Sequence, residues 1–263
     1  MIETLKTIAA EAGRIIMDIY ADAEGVVIDR KADNSPLTQA DSASNAHIVA
    51  ALQKHFPDIP IISEEEKEMP YETRAQWERC WQVDPLDGTK EFIKRNGEFT
   101  VNIALLEKGR AVAGVIYAPA LDLMAWASRN EGAYLVEGDV AMVKLLSRAP
   151  EAGEKLAVVA SRSHNSPEME AYLAELGEVE IRSAGSSLKF LLVARAEAHL
   201  YPRLAPTMEW DTSAGQVILE EAGGELLVAD TEEPMRYNRA NLLNPHFMAY
   251  GAGVRDYLKE RRS

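Results

Sequence analysis

No stretch of this chain narrows its structure as far as Asp84-Pro-Leu-Asp87-Gly-Thr89. Two carboxylates, a hydroxyl and a glycine follow directly on the apolar-flanked Cys80-Trp-Gln-Val83. Pro85 lacks an N–H, cannot continue a helix and biases Asp84 towards extended backbone. A strand is therefore expected to end here, in a turn tight enough to aim both carboxylates at one point. Gly88 lets backbone approach a ligand where a Cβ would collide. Clustered carboxylates repel unless a cation lies between them, and hard divalent ions take oxygen ligands. The run points to a magnesium site at a strand end, suited to handling phosphate.

Three rival readings fail on spacing. A D-x-D nucleophile pair needs one residue between the acids, and here there are two, Pro85 and Leu86. An EF-hand loop opening at Asp84 needs an acid at its third position and Glu at its twelfth, which are Leu86 and Arg95. A P-loop needs G-x-x-x-x-G-K-[ST], which the chain lacks. The plain alternative is that Asp84 and Asp87 only cap a turn.

The 263 residues suffice for one large domain or two lobes around a shared core. A hydrophobic content of 47% is that of a soluble globular protein. No apolar run approaches the roughly 20 residues that span a membrane. Met1-Ile-Glu-Thr-Leu-Lys6 does not read as a signal peptide. The single cysteine, Cys80, excludes an internal disulfide and a Cys-rich zinc site, and reads as a buried strand residue in a reducing cytoplasm. A formal charge of −14 argues against nucleic acid as a partner and weakens attraction to anionic lipid, though peripheral association with the inner membrane face stays open. Oligomeric state is not legible.

Ile2, Leu5, Ile8, Ala9, Ala12, Ile15, Ile16 and Ile19 recur at helical spacing, predicting a helix over 2–20. A strand at 26–28, a polar loop at 31–38, a helix at 38–55 and a strand at 59–62 follow. Runs at 99–106, 111–117, 123–127 and 133–136 read as an antiparallel meander. Residues 147–154 are the best linker candidate, placing an N-terminal lobe at 1–150 and a C-terminal lobe at 151–263. Beyond the linker, strands at 156–160, 179–182, 199–201 and 225–228 alternate with helices at 167–176, 187–196 and 212–222, an α/β pattern. The basic tail Lys259-Glu-Arg-Arg262 reads as a solvated helix end.

Further acids stand where the same chemistry could use them. Glu64 ends a strand, Asp211 opens a helix, and Asp41 sits in the first turn of another. An acid at a helix start is also explained by the helix dipole, and Glu64-Glu65-Glu66 by a solvated charged loop. The pieces gain weight together. Asp84-Pro-Leu-Asp87-Gly-Thr89, preceded by Ser63-Glu64-Glu65 and followed by Trp210-Asp211 and Ala222-Gly-Gly224, resembles the inositol monophosphatase-like, metal-dependent, lithium-sensitive phosphatases. The run from Lys90 to Leu105, Gly185-Ser-Ser-Leu-Lys189-Phe and Leu200-Tyr-Pro-Arg203 resemble that family's bacterial 3′(2′),5′-bisphosphate nucleotidase branch.

The resemblance implies a layered α/β (α+β sandwich) fold of alternating helix and sheet layers. It implies that Glu64, Asp84, Asp87, Asp211 and the Leu86 carbonyl hold two or three Mg²⁺ ions, with Asp84 bridging two. Glu64 is preferred over Glu65 and Glu66 because it follows the strand directly. Thr89, backed by Asp41, would orient and deprotonate the attacking water, and the Gly88 and Thr89 amides would cradle phosphate. Glu64, Leu86, Asp87 and Asp211 would also face the substrate. Lys189 and Arg203 are anion partners, Ser186 a hydrogen-bond donor and His164 a nucleotide contact. The plain alternatives are a surface lysine for Lys189 and an exposed loop histidine for His164. Trp81, Trp126 and Trp210 read as core, and His47, His55, His199 and His246 show no metal spacing.

The expected activity is Mg²⁺-dependent removal of the 3′-phosphate of adenosine 3′,5′-bisphosphate, with 3′-phosphoadenylyl sulfate as a second candidate substrate, in sulfur assimilation. An inositol or sugar monophosphatase is the nearest alternative, and a non-catalytic module holding a structural cation the alternative of another class.

Overall fold

The computed structural model describes residues 1–22, 28–30, 36–160 and 166–262. Helix α1 (Ile2–Ala21) buries Leu5, Ile8, Ala9, Ala12 and Ile16, the stripe expected from the spacing. Burying a Leu or Ile side chain contributes about 1.5–3 kcal/mol. A short antiparallel ribbon of β1 (Ile28–Arg30) and β2 (Pro36–Thr38) leads into α2 (Gln39–His55). The strand expected at 26–28 is thus described only from Ile28, and the loop expected at 31–38 closes in β2.

A seven-stranded sheet follows: β3 (Ile61–Ser63), β4 (Arg79–Asp87), β5 (Thr100–Glu107), β6 (Arg110–Ala118), β7 (Leu123–Ser128), β8 (Gly132–Glu137) and β9 (Val143–Lys144), in that spatial order. Strand β3 runs parallel to β4, and from β4 onward each pairing is antiparallel, the expected meander. Short helices α3 (Tyr71–Arg74) and α4 (Thr89–Ile93) flank β4. Later in the chain come β10 (Leu156–Val159), α5 (Pro167–Leu176), β11 (Val179–Arg182), α6 (Leu188–Ala194), β12 (Leu200–Arg203), α7 (Ser213–Glu221), β13 (Glu225–Val228), β14 (Phe247–Tyr250) and α8 (Val254–Arg262). They form a five-stranded sheet of order β11-β10-β12-β14-β13, parallel among the first three strands and antiparallel beyond.

Alternating strand faces sort these elements into layers. Trp81, Val83, Val101, Ile103 and Val115 face α1 and α2. Cys80, Ala104 and Ile116 face the opposite way, in one core with Phe190 of α6, Val217 and Ile218 of α7, and Ala157, Val159 and Phe247 of the second sheet. Leu156, Val158 and Leu200 face outward against Leu176 and Val254. The stacking is helix, sheet, helix, sheet, helix. Helix α7 therefore covers the first sheet although it lies after residue 150. Among the described residues no helix is long and apolar enough to cross a membrane.

The strand carrying the opening motif departs from expectation. It does not end at Asp84 but runs through Pro85 to Asp87. Asp84 pairs with Asn102 and Asp87 with Thr100, so three steps on β4 match two on β5. Pro85 sits inside this bulge, where a missing N–H is tolerated.

Candidate active site

Helix α2 backs the site with polar rather than apolar residues. Thr38 is its N-cap. The Thr38 N–H and Oγ1 both donate to Asp41 Oδ2, at 2.8 and 2.6 Å, and Thr38 Oγ1 accepts from the Ala40 N–H at 3.2 Å. The other oxygen, Asp41 Oδ1, accepts from Thr89 Oγ1 at 3.1 Å. One buried carboxylate thus serves the helix cap and the site together. One turn on, Ser44 Oγ donates to the Pro85 carbonyl at 2.7 Å and pins the bulge. Asn45 Oδ1 accepts from Ser63 Oγ at 2.7 Å, and Asn45 Nδ2 donates to Glu66 Oε1 at 2.8 Å. Of the three glutamates, Glu66 is tied to α2 and Glu64 lines the cavity.

Glu64 continues β3, its N–H donating to the Val83 carbonyl at 3.2 Å. Asp84 is buried, and its Oδ1 accepts from the Leu86 N–H at 3.1 Å. Gly88 has φ +91° and caps α4, a conformation costly for any side chain, and a Cβ there would lie 3.1 Å from the Glu98 carbonyl oxygen. Asp211 does not open a helix: it closes the single 3₁₀ turn Glu209–Asp211 ahead of α7, its Oδ2 accepting from the Met208 N–H at 2.8 Å.

These segments meet in a cavity of about 410 Å³ lined by Glu64, Asp87, Gly88, Thr89, Lys189 and Arg203, with Asp211 beside them. Burial, then Glu64, Asp87 and Asp211, hold the Asp84 carboxyl well above the usual carboxylate range. Burial, with Asp87 next, pushes Asp211 up to about 8. Burial lowers the Lys189 ammonium, against the pull of Asp87.

The donor set fits a hard divalent ion. Among the described residues no three His, Cys, Asp or Glu side chains are already drawn into a ready metal shell. The fit rests on oxygen-only chemistry and on buried acids that raise one another's proton affinity, a repulsion a cation removes.

Lys189 is no surface lysine: it lines this cavity and an adjoining one of about 250 Å³, with its Nζ 5.9 Å from the Tyr201 ring centroid. Arg203 also lines both, but its Nε and Nη2 donate to the Ala205 and Pro206 carbonyls at 3.2 and 3.0 Å. Two of its five N–H donors are thus engaged with backbone. Ser186 lines the cavity and donates to Asp87 Oδ2 at 2.7 Å. His164 lies outside the described residues. Trp81 and Trp126 are core, and Trp210 packs partly buried against it. Burial pushes the Cys80 thiol up to about 12, leaving it unreactive.

Sequence reasoning missed Glu209. Fully buried, it accepts from Gln82 Nε2, from the Asn238 and Arg239 N–H groups and from Arg239 Nε at 2.5–3.1 Å. It anchors the turn that presents Asp211. Thr100 and Asn102, polar residues inside an apolar strand run, were missed too; that interruption was the available signal.

Fold and site together define a phosphatase-like scaffold with a carboxylate-rich cavity, and the chain belongs to the inositol monophosphatase family, whose profile matches residues 1–256. The chain is similar to the 3′(2′),5′-bisphosphate nucleotidase CysQ of Salmonella typhimurium, 45% identical over 94% of this chain and 98% of that protein. The CysQ of Escherichia coli K12 is 43% identical over the same shares. Among solved structures, CysQ from Bacteroides thetaiotaomicron superposes with a TM-score of 0.81 at 46% identity, covering 93% of this chain and 94% of that one. The suhB protein of Bartonella henselae gives 0.75 at 27% identity over 98% and 96%.

Proposed function

We propose that this protein is a magnesium-dependent 3′(2′),5′-bisphosphate nucleotidase that hydrolyses the 3′-phosphate of adenosine 3′,5′-bisphosphate to AMP and phosphate, in a cytoplasmic setting serving sulfur assimilation. The observation that carries this reading is the pair of adjoining cavities sharing Ala184, Lys189, Tyr201 and Arg203. One holds the acids and the second extends the site by about 250 Å³, room for a nucleoside and second phosphate that an inositol monophosphate does not need. We read the chain as two lobes divided near residue 150, with this double cavity fed from both.

Glu64, Asp84, Asp87, Asp211 and the Leu86 carbonyl would hold the magnesium ions. When bound, magnesium supplies positive charge that acidifies water and steadies the attacking and leaving oxygens. The rest is the work of the chain itself. Asp41 Oδ2 is occupied by the cap, so Oδ1 takes the single proton of Thr89 Oγ1. That turns the threonine lone pairs towards the cavity, where they accept a hydrogen bond from the attacking water; as the water proton moves to Thr89 Oγ1, the threonine proton passes to Asp41 Oδ1. The Gly88 and Thr89 N–H groups face phosphate, and Lys189 offsets negative charge where the two cavities join.

Phosphate release from adenosine 3′,5′-bisphosphate and from inositol 1-phosphate, with magnesium and with added lithium, tests this. Strong preference for the nucleotide, suppressed by lithium, is expected. Preference for inositol phosphate would keep the metal site and overturn the reading of the second cavity.

A further inference from the structure

The turn Gly185-Ser-Ser187 belongs to the second half of the chain but is fastened at every residue to β4, β5 or the segment leading into β5. The Gly185 N–H donates to Glu98 Oε2 at 2.8 Å, and a Cβ on Gly185 would lie 2.7 Å from the Glu98 carbonyl oxygen. Ser187 Oγ donates to Asn102 Oδ1 at 2.7 Å. Ser186 sits between them at φ +53°, left-handed backbone that a side chain adopts at a cost. Such a conformation persists only where its surroundings hold it.

Counting protons shows what holds it. Ser186 Oγ lies 2.7 Å from Asp87 Oδ2 and 2.5 Å from Thr100 Oγ1. The carboxylate can only accept, so the single Ser186 proton goes to Asp87, and Ser186 Oγ can only accept from Thr100, whose one proton also has Ser187 Oγ at 2.8 Å and Asn102 Oδ1 at 3.0 Å within reach. The second arm runs the same way: Ser187 donates to Asn102 Oδ1, and Asn102 Nδ2 approaches the same Asp87 Oδ2 at 3.4 Å. Two donor chains, each built from one β5 residue and one residue of this turn, end on one oxygen. They leave Asp87 Oδ1 clear of both.

We propose that Ser186 is a positioning residue for the Asp87 carboxylate: its hydroxyl serves that acid rather than the substrate, and through it sets the affinity of the cation site. The proposal rests on the reading of Asp87 as a cation ligand. Groups that orient a metal ligand change metal affinity by about 10–100-fold when removed.

Backbone and hydroxyl can be separated by two substitutions, with Mg²⁺ binding followed by calorimetry and by thermal shift. S186G removes the hydroxyl and relieves the positive φ; S186A removes the hydroxyl and keeps the strain. The expected result is a Mg²⁺ affinity lowered about 10–100-fold in both, with S186G unfolding at or above the wild-type temperature and S186A below it. KM for the bisphosphate at saturating Mg²⁺ should stay unchanged. Wild-type Mg²⁺ affinity in S186G overturns the proposal. So does a raised KM with unchanged Mg²⁺ affinity, which would make Ser186 a substrate contact. Wild-type protein that binds no Mg²⁺ would sink the metal reading of the site itself, a failure visible before any variant is compared.

Discussion

On the β4 side of the cavity the functional groups are tied to backbone or to a helix cap. Asp84 accepts from the Leu86 N–H, Asp41 from Thr38 and Thr89, and the Pro85 carbonyl is held by Ser44. On the β12 side the groups are long side chains. Lys189 reaches across the Tyr201 ring, and Arg203 turns part of its guanidinium back onto Ala205 and Pro206. The first wall fixes short acids where repulsion must be tolerated; the second ends flexible cations near it, and these lose rotamer freedom when a ligand orders them. Chemistry and metal binding should therefore fail on the first wall, substrate affinity on the second.

Asp84→Asn tests the first wall most severely. Turnover should fall by more than about 100-fold, the upper end for residues that only support a ligand. In EDTA the variant should unfold at a higher temperature than wild type, because the acid most strongly opposed by its neighbours is gone. Wild-type protein should gain roughly 5–10 °C at Mg²⁺ a hundredfold above its dissociation constant, and the variant far less. A variant less stable without metal would mean that the acids do not strain the empty site.

Thr89→Ala separates chemistry from metal binding on that same wall. Loss of a group aligning proton transfer costs about 10²–10⁴-fold in turnover, while the Mg²⁺-induced rise in unfolding temperature should survive. Equal loss of both would favour a structural cation site.

The second wall should behave differently. Lys189→Ala should raise KM for the bisphosphate about 10- to 100-fold, the worth of a hydrogen bond to a charged group, and leave kcat nearly intact. Arg203→Ala should cost less, because two of its donors already bind backbone. Steady-state kinetics at saturating Mg²⁺ check both; a kcat collapse in either would erase the distinction between the walls.

The same contrast explains what the sequence made legible. Asp84, Asp87 and Gly88 stand together, with a proline among them, and local chemistry suffices to read them. The helical stripe of α1 and the meander follow from periodicity. The continuation of β4 through Pro85 was not legible, because a bulge depends on the partner strand's register. Nor was the role of Glu209, whose four donors come from β4 and from a turn near residue 238. Asp211 looked like a helix start because an acid two residues before α7 resembles a cap. The backbone contacts of Arg203 were not legible either, because the Ala205 and Pro206 carbonyls it reaches lie in a loop without a distinctive pattern.

Thr38 gives the smallest effect and the finest test of the first wall. Its hydroxyl closes the α2 cap and holds Asp41 Oδ2, so the cap and the Asp41–Thr89 hydrogen bond share one carboxylate. Thr38→Ala should cost about 1 kcal/mol of stability, lowering the unfolding temperature by roughly 2–4 °C. Without that donor Asp41 Oδ2 loses the hydroxyl and keeps the Thr38 N–H, and Thr89 Oγ1 can turn instead to the Leu86 carbonyl at 3.5 Å. kcat should then fall while KM and Mg²⁺ affinity hold. Thr38→Ser restores both hydrogen bonds and should restore both properties. A Thr38→Ala enzyme that is less stable but turns over normally would show that the cap and the Asp41–Thr89 pair share a carboxylate without depending on each other.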